Sequence, residues 1–145
     1  MIKVVEKIWV GGYRAWENIY PLKIDAVLCV AQDMKAPCGW PDVVYMQVGL
    51  VDGPGNPASA YVAAVLALVT LVEKHSVLVC CHGGSRSMAT VIMYMATVSS
   101  IGWDNAVEIL KERANVDLPE PHLAHRAAFD NIKHWRAIRD IMEKQ

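Results

Sequence analysis

Cys80, Gly83, Gly84, Arg86 and Ser87 fall together in the stretch VLVCCHGGSRSMAT, residues 77 to 90. An apolar run stops at two adjacent cysteines, crosses two glycines and resumes as a helical pattern at an arginine. Backbone N–H groups converge where a loop leads from a strand into a helix N-terminus, and such a loop binds anions. Gly83 and Gly84 lack the Cβ atoms that would keep consecutive amides from turning inward as a nest. Arg86, in the first helical turn, adds a planar fork of donors suited to a pair of phosphate oxygens.

The thiol completes this picture. A free thiol with a pKa of ~8.5 drops to ~3.5–7.5 at a helix N-terminus or beside a cation, so Cys80 is expected to be mostly thiolate at neutral pH. A thiolate under a phosphate-shaped cradle is a nucleophile aimed at phosphorus. Cys81, His82, Gly83, Gly84 and Ser85, with Arg86, are expected to line the bound group. A vicinal pair makes a strained disulfide, so Cys81 is read without a redox role, and His82 as a residue of the rim.

These residues need a strand before them and a helix after them. Ser76 to Val79 supplies the strand, and Arg86 to about Ser99 the helix, with Met88, Val91, Ile92 and Met95 on one face. Three further β-like runs precede them: Lys7 to Val10, Asp25 to Ala31 and Val43 to Val48. Ser59 is placed to cap a helix reaching about His75, and two more helices are expected over Trp103 to Ala114 and Leu123 to Glu143, parted by Pro119 and Pro121. The expected fold is α/β: one small, mostly parallel sheet flanked by helices, with the anion loop between the last core strand and a helix.

Length and composition agree with a single domain over residues 1–145: the chain is 54% hydrophobic and 20% charged, enough for one core. A net charge of −1 gives no electrostatic case for nucleic acid or an anionic membrane. The longest apolar stretch, Ala58 to Val72, is too short to span a bilayer, and the charged N-terminus does not read as a leader, so a cytoplasmic monomer is expected. Four cysteines, two of them neighbours, suit neither a disulfide framework nor a zinc pair. Cys29 and Cys38 are read as structural. His122, His125 and His134 lack a carboxylate or CxxC companion, so no metal is assigned.

The loop resembles that of the cysteine-dependent protein tyrosine phosphatases, and within them the small dual-specificity phosphatases: His-Cys, two residues, Gly, two residues, then Arg-Ser or Arg-Thr. Cys80, Gly83, Arg86 and Ser87 stand at that spacing. The resemblance implies that Cys80 forms a phosphocysteine, that Arg86 clamps the phosphate and that Ser87 stabilises the leaving thiolate. It also implies a general acid some thirty residues earlier. Asp52, in the loop Val51-Asp-Gly-Pro-Gly, is so placed, and losing such an acid costs about 10²–10⁴-fold in rate. IWVGGYRAWENIYPLKIDAVLCVA resembles the family's opening, and AVEILKERA with AHRAAFDNIKHW its closing helix pair. Val79 stands where the family has histidine.

The implied activity is hydrolysis of phosphate monoesters, phosphotyrosine and phosphoserine or phosphothreonine in proteins or a small phosphomonoester, without metal or cofactor. Two alternatives stay open: a pseudophosphatase that binds phosphorylated partners, and a rhodanese-like or arsenate-reductase-like cysteine enzyme. The stretch Asp33 to Asp42, with Trp40, is the candidate recognition loop.

Overall fold

The two most apolar runs of the sequence form the middle of the sheet. Ala26–Ala31 (β3) and Val77–Cys80 (β5) are buried at every position, as strands covered on both faces must be. They pair in parallel, bringing Cys29 into register with Cys80. Ile8–Gly11 (β2) runs parallel to β5 on one side, and Val44–Leu50 (β4) parallel to β3 on the other. Ile2–Val5 (β1) closes the β2 edge in antiparallel fashion, giving five strands in the order β1-β2-β5-β3-β4. This is a computed structural model, and it describes residues 1–34, 42–132, 135, 137, 138 and 140.

The helices are Ala58–Val72 (α1), Ser85–Val98 (α2), Gly102–Ala114 (α3) and Leu123–Asn131 (α4), with a 3-10 turn at Ala15–Asn18. α2 leads directly out of the loop after β5 and is buried almost all round, packed on β5 and β3 and against α1 and α3. The cradle is therefore bolted to the centre of the core. Trp103 of α3 meets Phe129 of α4 at 5.8 Å between ring centroids, and Phe129 meets Trp135 at 5.3 Å. Among the described residues no helix is long and apolar enough to cross a membrane.

Four local expectations change. β1 is an additional strand, hidden in the sequence by Lys3, Glu6 and Lys7; the chain reverses tightly after it, with Lys7 at φ 67°. β4 runs on to Leu50, two residues nearer the Asp52 loop. Ser59 does not cap α1, because Pro57, already extended at φ −68° and ψ 151°, sets the boundary and puts Ser59 inside the helix. The single helix expected from Leu123 to Glu143 is interrupted at Ile132, which is extended at ψ 126° with a buried side chain. Cys38, Trp40 and most of the proposed recognition loop, and His134, lie outside the described residues.

Candidate active site

Strand geometry decides which cysteine enters the loop. Successive side chains of a strand face opposite ways, so two neighbours at its end cannot share one environment. Cys80, the last residue of β5, directs its sulfur to the Trp16 Nε1–H, 3.1 Å away, on the side where Cys29 lies across the ladder. Contact with the Cys29 sulfur, and then burial, push the Cys80 thiol up. The expectation that Cys80 sits in the cradle is thus corrected.

Cys81 takes that place. Its sulfur accepts the Gly84 N–H at 3.1 Å and the Ser87 N–H at 3.3 Å, and the Ser87 hydroxyl lies 3.3 Å away. Two of the amides at the N-terminus of α2, those of Gly84 and Ser87, donate to this one sulfur, and no side chain caps the helix. Cys81 is held in turn by its own N–H donating to the Gly11 carbonyl at 3.3 Å. Counted from Cys81, four residues separate the thiol from Arg86, one fewer than in the resembled pattern, and Cys80 rather than Val79 is the preceding residue.

Of the two loop glycines, Gly84 is the one the geometry requires. It lies at φ 98°, and a Cβ there would meet Pro119 Cβ and Cγ at 2.8 Å. Gly83 has neither constraint, since a Cβ added to it would meet nothing within 4 Å. Gly84→Ala is expected to cost ~1–3 kcal/mol from backbone strain, with more from Pro119, and to swing its N–H away from Cys81. Gly83→Ala should keep the wild-type melting temperature. Thermal unfolding of the two variants checks the pair; equal losses would contradict this geometry.

Arg86 is only 5% exposed. Its Nη1 donates to the Leu50 carbonyl at 2.9 Å and to Asp33 Oδ1 at 2.8 Å, while its buried Nε has no hydrogen-bond partner among the described residues. Buried guanidinium donors are costly to leave unpaired, so this edge suits an incoming oxyanion. Asp33, at the start of the expected recognition loop, also lies 3.4 Å from His82 Nε2, which places His82 on the exposed rim. The Arg86 hydrogen bond holds the Asp33 carboxyl below its ordinary range.

Asp52 stands over the loop in a half-exposed position. Its Oδ1 accepts the Ser85 hydroxyl at 2.7 Å and meets His125 Nε2 at 3.1 Å. Burial, which opposes ionisation, is outweighed by these two hydrogen bonds, and the carboxyl titrates below its usual value. Ser85 also accepts the His122 N–H at 2.9 Å, tying α2, the Asp52 loop and the start of α4 together. The structure thus brings together Asp52, Ser85, Gly84, Cys81, Ser87 and Arg86, and sets Cys80 apart.

One further residue of the site, His125, carries no such sign in the sequence. There it stands beside His122 and His134 as a histidine without companions, whereas in the fold it is fully buried against Asp52 and Tyr61. Among the described residues no group of side chains is placed to hold a metal ion. The only cue is the three-residue spacing of His122 and His125, which says nothing of a partner 73 positions away. A cavity of about 900 Å³ opens between Met88, Ile92, Trp103 and Leu118; neither Cys81 nor Arg86 lines it.

No protein-family model and no curated protein sequence matches the chain. Solved structures do. DUSP15 superposes with a TM-score of 0.82 at 19% identity, covering 100% of this chain and 96% of that one. A mouse putative dual specificity phosphatase complexed with zinc tungstate gives 0.76 at 22% identity, over 98% and 89%. The human tyrosine phosphatase-like serine/threonine/tyrosine-interacting protein gives 0.77 at 19% identity, over 95% and 96%. A five-stranded sheet with its thiol loop between β5 and α2, matched end to end by these proteins, shows that the chain has the fold of the small dual-specificity phosphatases.

Proposed function

We propose that the protein is a phosphatase that hydrolyses phosphate monoesters through a cysteinyl-phosphate intermediate, with Cys81 as nucleophile. The observation that carries this reading is the convergence of Gly84 N–H, Ser87 N–H and the Ser87 hydroxyl on Cys81 Sγ, in the loop that ends in a buried Arg86 with an unpartnered Nε. Those donors stabilise negative charge at sulfur, and the free guanidinium edge receives two phosphoryl oxygens.

In the first step the Cys81 sulfur bonds to phosphorus as the ester P–O bond breaks, and protonated Asp52 gives its proton to the departing oxygen. In the second, water attacks phosphorus while Asp52 takes a proton from it, the S–P bond breaks and the electron pair returns to sulfur. The Ser87 hydroxyl then turns from the Gly84 carbonyl, which it meets at 3.1 Å, to donate to the released thiolate. No step calls on a metal or a cofactor. Phosphotyrosine and phosphoserine or phosphothreonine of proteins are the proposed substrates, met by the chain as a cytoplasmic monomer.

A second reading, a module that binds phosphorylated partners without turnover, draws on the shortened spacing from Cys81 to Arg86. It also draws on the superposition with a protein named as phosphatase-like and interacting. The sulfurtransferase and arsenate-reductase readings have no such support. Hydrolysis of para-nitrophenyl phosphate in excess chelator tests the proposal. Turnover is expected; an inert protein that still binds a phosphopeptide would leave the binding module in its place.

A further inference from the structure

His125 belongs to a chain of hydrogen bonds that starts and ends on the Asp52 loop. The Val51 N–H donates to Asn56 Oδ1 at 2.8 Å, and Asn56 Nδ2 donates to the Val51 carbonyl at 2.7 Å, which fixes the orientation of the amide. Asn56 Nδ2 also donates to the Tyr61 hydroxyl oxygen at 3.1 Å. The Tyr61 hydroxyl, 2.5 Å from His125 Nδ1, is left to donate to it. Nδ1 being the acceptor, the proton of the neutral ring sits on Nε2 and points at Asp52 Oδ1. From Asn56 Nδ2 through the Tyr61 hydroxyl to His125 Nε2, the chain thus ends with a donor on the carboxylate.

Both hydrogen bonds to Asp52, from His125 and from Ser85, end on Oδ1, and no described residue bonds Oδ2. The Asp52 side chain is 44% exposed, whereas that of His125 is 0% exposed. One oxygen is thus anchored in the protein and the other is without a partner among the described residues. Resting on the phosphatase reading above, we propose that His125 is a positioning residue for the general acid: it and Ser85 occupy Oδ1, so that Oδ2 is the atom that carries the transferred proton. Tyr61 and Asn56 serve by fixing the tautomer. With the ring proton moved to Nδ1, the Nε2 lone pair would face Oδ1 and repel it.

The charged and titratable groups around the pair come from three helices: Tyr61 of α1, Arg86 of α2, and His122 at the start of α4. Burial keeps His125 below its ordinary value, against the opposing pull of Asp52, which favours the neutral donor. The hydrogen bond from Nε2 favours ionised Asp52. Its loss raises the Asp52 value, and the acid form then survives to higher pH.

The test compares His125→Phe, which keeps a planar ring, with His125→Gln, whose amide restores a donor, on two substrates, para-nitrophenyl phosphate and phenyl phosphate. The second has the poorer leaving group and needs the acid more. Phe is expected to lower kcat about tenfold or more on phenyl phosphate and much less on the activated ester. The basic limb of its pH profile should move up by ~0.5–1 unit, and Gln should recover part of both effects. Equal losses on the two substrates with an unmoved limb would overturn the proposal and leave His125 as packing. Carbon NMR titration of the Asp52 carboxyl reads the same link without turnover: a value that rises in the Phe variant supports it and an unchanged one overturns it. An inert wild type with a shifted Asp52 titration would sink the phosphatase reading and leave the anchoring of Oδ1 standing.

Discussion

Cys81→Ser is expected to abolish turnover, by on the order of 10⁴-fold or more, while Cys80→Ser retains most of it. The two sulfurs are one residue apart, but Cys80 Sγ accepts the Trp16 Nε1–H whereas Cys81 Sγ accepts the Gly84 and Ser87 N–H groups. A serine at 81 keeps the hydrogen-bonding shape of the cradle and removes the atom able to bond to phosphorus at neutral pH. A serine at 80 exchanges one group at Trp16 Nε1 for another and leaves the hydrogen bonds to Cys81 Sγ in place. Burying a hydroxyl beside Cys29 should lower stability by ~1–3 kcal/mol, which thermal unfolding would register separately from rate. Steady-state kinetics on an aryl phosphate, normalised to folded protein, distinguishes the two. The reverse ranking would return the nucleophile to Cys80.

Arg86→Lys is expected to cost about 10²–10³-fold in kcat/KM, despite conserving charge. Arg86 is fastened through Nη1 to the Leu50 carbonyl and Asp33, and this fastening turns the rest of the fork toward the loop. A lysine ammonium can occupy the Asp33 and Leu50 position or reach an oxyanion, but it cannot do both from a single point. Binding of inorganic phosphate or tungstate, followed by calorimetry, should weaken in parallel with kcat/KM. A lysine variant with unchanged oxyanion affinity would mean that Arg86 serves the Asp33 and Leu50 contacts alone.

The parts of this architecture that are legible in the sequence are those set by local pattern. β3 and β5 are unbroken apolar runs and form the two central strands. The glycines and the arginine after β5 announce an anion loop, and a proline- and glycine-rich turn marks the Asp52 loop. What escapes depends on position at the end of an element or on distant partners. Cys80 and Cys81 are chemically alike in the sequence; β5 ends one residue later than expected, which gives Cys80 to the core and leaves Cys81 to meet the α2 amides. Gly84, not Gly83, carries the left-handed backbone, because Pro119 from a segment 35 residues away closes over it. β1 is masked by its charges, since an edge strand with Lys3 in it does not alternate cleanly. His125 reaches Asp52 only once α4 docks beside α2, and no spacing in the chain encodes that.

Central to this mechanism is a phosphoryl group carried on Cys81. Asp52→Asn should make that intermediate visible. With an activated aryl phosphate the first step depends little on the acid, while hydrolysis of the S–P bond loses its base, so the phosphoenzyme accumulates. Acid quenching followed by tandem mass spectrometry of the peptide His75 to Arg86, which contains both cysteines, places the phosphoryl group. One phosphoryl group on Cys81 is the expected result. A phosphoryl group on Cys80, or none on either sulfur while phosphate is still released, would contradict it.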